Sequence, residues 1–123
     1  MVERQIMENS DFNRLERAVL DWCIKRYVGS AVAEQLKSAV FVSREWTKVG
    51  FYVHFKAQGP IIPEDVVIPI DGPGLESPAI EHGGGSLLWG DKGGYLRQLE
   101  MYSFGKFEEV VPNFKVTDPK PNY

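Results

Sequence analysis

A chain of 123 residues is the usual size of one domain and too short for two ordinary ones. With 43% hydrophobic and 25% charged residues it has the composition of a folded globular protein, which excludes a disordered chain. A net charge of -3, from 14 basic and 17 acidic side chains, lacks the basic excess by which nucleic-acid binders neutralise phosphate, so no nucleic-acid partner is expected.

A single cysteine, Cys23, rules out an internal disulfide. Met1 to Asn13 is polar and has no apolar signal-peptide core. No apolar run approaches the ~18 residues of a membrane span. A cytoplasmic protein with no membrane partner is the expectation.

Taken in chain order, Met1 to Asn9 has weak helical periodicity and reads as a loose arm or the start of the first helix. Ser10 or Asp11 can act as an N-cap, each offering a short side-chain oxygen to a free backbone amide. Phe12, Leu15, Val19, Trp22 and Cys23 then fall at three- and four-residue spacing, on one face of a helix. Gly29 is a natural stop. Ser30 caps a shorter second helix that carries Val32 and Leu36 on one side and ends near Ser38.

The period then changes to two. Ala39 to Trp46 reads as one strand and Gly50 to Ala57 as a second. Phe51, Val53 and Phe55 point one way and Tyr52, His54 and Lys56 the other, the pattern of a sheet with one buried face. The short Thr47-Lys48-Val49 link makes the pair an antiparallel hairpin. Gln58 to Ile80 holds five of the eight prolines. Within it Val66 to Ile70 could form a strand, at an edge because Pro69 lacks a donor. Asp71-Gly72-Pro73-Gly74 is a turn signal. Gly83-Gly84-Gly85 reads as a flexible loop opening a last hairpin, Ser86 to Trp89 paired with Tyr95 to Ser103. Residues 1–118 are expected to form a single α+β domain, two N-terminal helices packed on an antiparallel sheet built from two hairpins, with 119–123 a flexible C-terminal tail.

Complete catalytic sets are absent from the pattern. Glu81-His82-Gly83-Gly84-Gly85 has the His-Gly-Gly-Gly of some esterase oxyanion loops, but no Gly-x-Ser-x-Gly elbow accompanies it. A phosphate loop needs a helix directly after its glycines, where Ser86 to Trp89 reads as strand. The histidines, His54 and His82, have no ligand spacing, so neither a metal nor another cofactor is expected. Cys23, on the apolar helix face, reads as a small hydrophobe.

The remaining candidates lie on the hairpins. Tyr52, His54, Glu100 and Tyr102 share one polar sheet face if their strands are neighbours. That face is either solvated or a pocket with acid–base capacity. Trp46 and Trp89 join them as candidate binding residues, since exposed aromatics anchor protein partners.

The segment Gly94-Tyr95-Leu96-Arg97-Gln98-Leu99-Glu100-Met101-Tyr102-Ser103-Phe104-Gly105 resembles a C-terminal hairpin of many small bacterial proteins of unassigned function: a glycine turn, then Leu-Glu-x-Tyr-Ser-x-Gly. The resemblance covers the last third of the chain and implies a bacterial cytoplasmic protein, with no catalytic residues to carry over. In size and charge the chain is also similar to small acidic immunity proteins, which block a toxin. The expected function is therefore that of a non-enzymatic interaction domain with a protein partner, immunity-like or regulatory. The alternative is a small-molecule-binding domain or small enzyme with a pocket between helices and sheet. A homodimer is compatible with either.

Overall fold

The computed structural model describes residues 11–119. The expected arm at Met1 to Asn9 and, of the expected tail 119–123, all but Pro119 lie outside the described residues.

The first helix, α1, spans Arg14–Arg26. It is capped by Asn13 and not by Asp11; Ser10 lies outside the described residues. The reason is reciprocal pairing. The Asn13 side chain accepts from the Glu16 amide at 2.8 Å, and Glu16 Oε1 accepts from the Asn13 amide at 2.9 Å. Asp11 instead accepts from its neighbour Phe12 at 2.7 Å. Gly29, at φ 82, turns the chain toward Ser30, whose hydroxyl caps α2, Ala31–Lys37.

Strands β1 (Val40–Trp46) and β2 (Gly50–Lys56) form the expected hairpin. β3 (Ile70–Asp71) and β4 (Gly74–Ser77) come from the proline-rich connection. The strand expected over Val66 to Ile70 is thus confined to the two residues after Pro69, where every backbone amide can donate. β5 (Ile80–Gly90) and β6 (Leu96–Ser103) form the second hairpin, and β7 (Lys115–Thr117) adds a last short strand.

The seven strands of the described residues join one antiparallel sheet in the order β1-β2-β6-β5-β4-β7, with β3 also against β5. β5 is long enough to serve two neighbours along one side. Its first half pairs with β4 and its second half with β3. Among the described residues the fold is thus α+β with two helices preceding an antiparallel sheet, though the sheet is larger than two hairpins.

Both helices cover the same side of the sheet. Leu15, Val19 and Cys23 from α1 and Val32 and Leu36 from α2 are buried with Phe51, Val53, Phe55, Leu88 and Leu99 of the sheet. Phe12 meets Phe41 and Phe55 edge to face, at centroid distances of 5.6 and 6.3 Å. After β6 the chain returns to this inner side and buries Phe107 against Phe51.

Two buried polar side chains fix the layers. Glu16 is wholly buried and takes two charge-assisted bonds from Arg44 of β1, each 2.7 Å. Gln35 of α2, also wholly buried, donates to the carbonyls of Pro60 and Gly94 and accepts from the Leu96 amide, all at 2.8 Å. One amide thereby ties α2 to both the proline-rich connection and the start of β6. Among the described residues no buried side-chain polar atom is left without a partner.

Candidate functional site

The pleat decides which candidates can meet. Successive side chains alternate between faces, so the inward course of Phe51, Val53 and Phe55 sends Tyr52 and His54 outward, away from the helices. Antiparallel partners share a face. Tyr52 lies opposite Glu100, His54 opposite Gln98, and Gln98 opposite Trp89. Tyr52, His54, Trp89, Glu100 and Tyr102 are therefore gathered on one outer face. Glu45 of β1, opposite Tyr52, extends it.

Trp46 departs from this set. Its partner in the register is Phe51, so it turns to the inner side, where its indole N–H donates to the Phe107 carbonyl at 2.9 Å. It pins the returning chain and does not join the outer face. The pocket expected between helices and sheet is likewise not where these residues lie. That interlayer is occupied by the hydrophobic core, and the polar candidates stand on the opposite side.

The centre of the outer face is a shallow hollow of about 470 Å³ bounded by Glu45, Tyr52, His54, Trp89, Gln98 and Glu100. The Trp89 indole N–H donates to Glu100 Oε1 at 2.9 Å, which orients the carboxylate and leaves Trp89 37% exposed.

A deeper cleft of about 570 Å³ adjoins it, on the side of β4. Its floor is the run Gly83-Gly84-Gly85, which belongs to β5 and is not the flexible loop that its composition suggests. At Gly84 and Gly85 other groups come too close for a side chain, and Gly83 has a positive φ that favours glycine. A Cβ on Gly85 would stand 2.5 Å from the Tyr102 hydroxyl and 2.8 Å from its Cζ, so the phenol lies directly over that residue. His82 and Gly83, at φ 64 and 72, adopt the left-handed conformation where β5 enters the cleft.

One wall is aromatic. Tyr102 and Phe104 meet edge to face at 5.8 Å, with Phe104 74% exposed. The other wall is the Asp71-Gly72-Pro73-Gly74 link. It is held to β5 by the buried Ser86 hydroxyl, which donates to the Pro73 carbonyl at 2.8 Å, and by the Gly72 amide, which donates to the Ser86 carbonyl at 3.0 Å. On the helix side Tyr27 donates to the Asp71 carbonyl at 2.6 Å. Asp71, Glu76 and His82 are among the residues that line the cleft. Burial, and then the charges of Asp71 and Glu100, raise the Tyr102 pKa above the usual phenol value, so its hydroxyl stays protonated and able to donate.

Neither space contains an activated nucleophile. Ser86 directs its proton to a backbone carbonyl and Cys23 is in the core. His82 lies 3.1 Å from the Glu81 carboxylate, and both side chains are more than half exposed. Among the described residues no group of three or more His, Cys, Asp or Glu side chains is placed to hold a metal ion, and no helix is long and apolar enough to cross a membrane.

The sequence signals for Tyr52, His54, Glu100 and Tyr102 were their alternation within strands. Asp71, Glu76 and Phe104 were missed as cleft residues. The usable signal was the glycine run inside an otherwise strand-like segment, which marks a place where another group approaches the backbone.

No protein-family model matches this chain, and the searches against curated proteins and solved structures give no match.

Proposed function

We propose that this protein is a non-enzymatic interaction domain of the bacterial cytoplasm, immunity-like or regulatory, and that it grips a protein partner with the outer face of its sheet. The observation that carries this reading is the row of Tyr52, Trp89, Tyr102 and Phe104 on the face turned away from the helices. Two of these, Trp89 and Phe104, keep 37% and 74% of their surface exposed. Aromatic side chains that combine apolar area with few rotamers are what interface hot spots are made of. The neighbouring polar groups, Glu45, His54 and Glu100, supply the surrounding hydrogen-bonding rim.

The test is capture from the native host with the N-terminally tagged protein, compared with a Trp89→Ala/Phe104→Ala double variant and with Lys25→Ala on the helix side. Wild type and Lys25→Ala should retain the same stoichiometric partner, and the double variant should lose it, each hot-spot truncation weakening binding by about 2 kcal/mol. Retention by the double variant, or no stoichiometric partner for wild type, would refute the reading.

A small-molecule-binding domain is the second reading, favoured by the cleft. Its volume of about 570 Å³ is within the range common for ligand pockets. A metabolite that raises the melting temperature of wild type but not of Phe104→Ala would favour it.

A further inference from the structure

The cleft beside the aromatic row has a chemistry of its own. Its lining includes the acidic residues Asp71 and Glu76 and, among the described residues, no lysine or arginine. Lys115 stands opposite Glu76 in the β4–β7 register, yet the described residues include no ion pair to either carboxylate. Neither carboxylate accepts a hydrogen bond from a described side chain or backbone amide. Asp71 is nevertheless held in place through its backbone, by pairing with Leu87 and by the Tyr27 hydroxyl. Its carboxylate is thus an exposed acceptor carried on a fixed backbone, with no partner among the described residues.

An anion has little to hold it here. Gly84 and Gly85 of the floor are paired to β6, and Gly84 also to β4, so this stretch is part of a ladder and not a cradle of free amides. A cation, in contrast, meets favourable groups on two sides. The faces of Tyr102 and Phe104 carry the negative part of the ring quadrupole, and the carboxylates complete the field. A planar guanidinium suits both, since it stacks on an aromatic ring and donates in pairs to a carboxylate.

Resting on the interaction reading above, we propose that this cleft receives an arginine side chain of the protein partner, its guanidinium stacked on the Tyr102–Phe104 wall and donating to Asp71. The Tyr102 hydroxyl, kept protonated by burial first and then by the charges of Asp71 and Glu100, remains a donor to a neighbouring backbone carbonyl of the partner. The adjoining hollow around Trp89 then meets the residues that flank this arginine.

The test is a titration of the isotope-labelled full chain, followed by backbone amide shifts, with the peptide acetyl-Gly-Arg-Gly-amide and its citrulline counterpart. Citrulline has nearly the shape of arginine and no charge. The arginine peptide should give saturable shifts at Gly72, Gly83, Gly84, Gly85 and Phe104. The citrulline peptide should bind at least about tenfold more weakly. Asp71→Asn should lower arginine-peptide affinity by a similar factor, and Phe104→Ala, at an exposed position that the fold does not depend on, should lower it too. Equal binding of the two peptides, unchanged affinity in both variants, or no saturable shift in the wild type would each overturn the proposal. Its failure is separable from that of the interaction reading. Were the arginine peptide not to bind while Trp89→Ala/Phe104→Ala still lost the captured partner, only the cleft assignment would fall. Were the peptide to bind as described while the captured partner ignored the double variant, the outer-face reading would fall.

Discussion

At the scale of single residues, burial converts ordinary side chains into structural parts. The Cys23 thiol is fully buried, and burial pushes its pKa from 9.0 up to about 12. The folded protein therefore keeps a proton that the unfolded chain releases. The unfolded state binds fewer protons over this range, so stability from this group is complete below the unfolded pKa and falls as pH rises, by ~1.4 kcal/mol per pH unit up to the folded pKa. Tyr27 and Tyr102 have raised pKa values, mainly through burial, and act in the same direction at still higher pH. Urea unfolding at about pH 8 and about pH 10 should show wild type losing ~1 kcal/mol more than Cys23→Ala between the two. Parallel losses would mean that the thiol ionises in the folded state.

The Glu16–Arg44 pair is a second such part. Its carboxylate caps α1 and at the same time holds the edge strand β1, so helix start and sheet edge are positioned by one group. The guanidinium also lies over the Phe41 ring, 4.5 Å from its centre.

At the scale of elements, β5 is the strand around which the outer face is organised, and its glycines are not equivalent. A Cβ on Gly84 would collide with the backbone carbonyl of Tyr102, which cannot move without breaking the β5–β6 ladder. A Cβ on Gly85 would meet the Tyr102 ring, which can swing aside. Gly84→Ala should therefore cost about 1–3 kcal/mol or more, while Gly85→Ala should cost less and chiefly displace the phenol. Thermal unfolding of both variants checks the order, and a smaller loss for Gly84→Ala would contradict it.

These glycines also show where the sequence stops being legible. Helix positions, the β1–β2 hairpin and the two faces of β2 follow from periodicity, because each depends on residues close in the chain. The membership of Gly84 and Gly85 in a strand goes with the close approach of Tyr102, a contact between segments that local propensity does not contain. Trp46 illustrates the same limit. Its face is set by the register that puts it opposite Phe51 and by the irregularity between Phe41 and Ser43, and a shift of one residue reverses every side chain. Tyr52, His54, Glu100 and Tyr102 were recoverable because each sits in a regular stretch of alternation.

At the scale of the whole molecule, the sheet has a stable middle and light margins. β2, β6 and β5 are flanked on both sides and carry the fully buried Val53, Leu99 and Leu88, whereas β7 has three residues and one neighbour. Hydrogen exchange should accordingly be slowest at Val53, Leu88 and Leu99 and faster by orders of magnitude across Lys115–Thr117. Uniform protection would show that the margins open only with the entire domain.

Thr117 and Pro119 form part of the wall of the glycine-floored cleft. The last described residue, Pro119, thus stands at the rim of that cleft, and a peptide fused to the C-terminus is joined to this rim by a short tether. A short tether gives its cargo an effective concentration of about the millimolar range. A peptide too weak to bind from solution would occupy the cleft when fused there, and a cationic tag in the same position would compete with any partner.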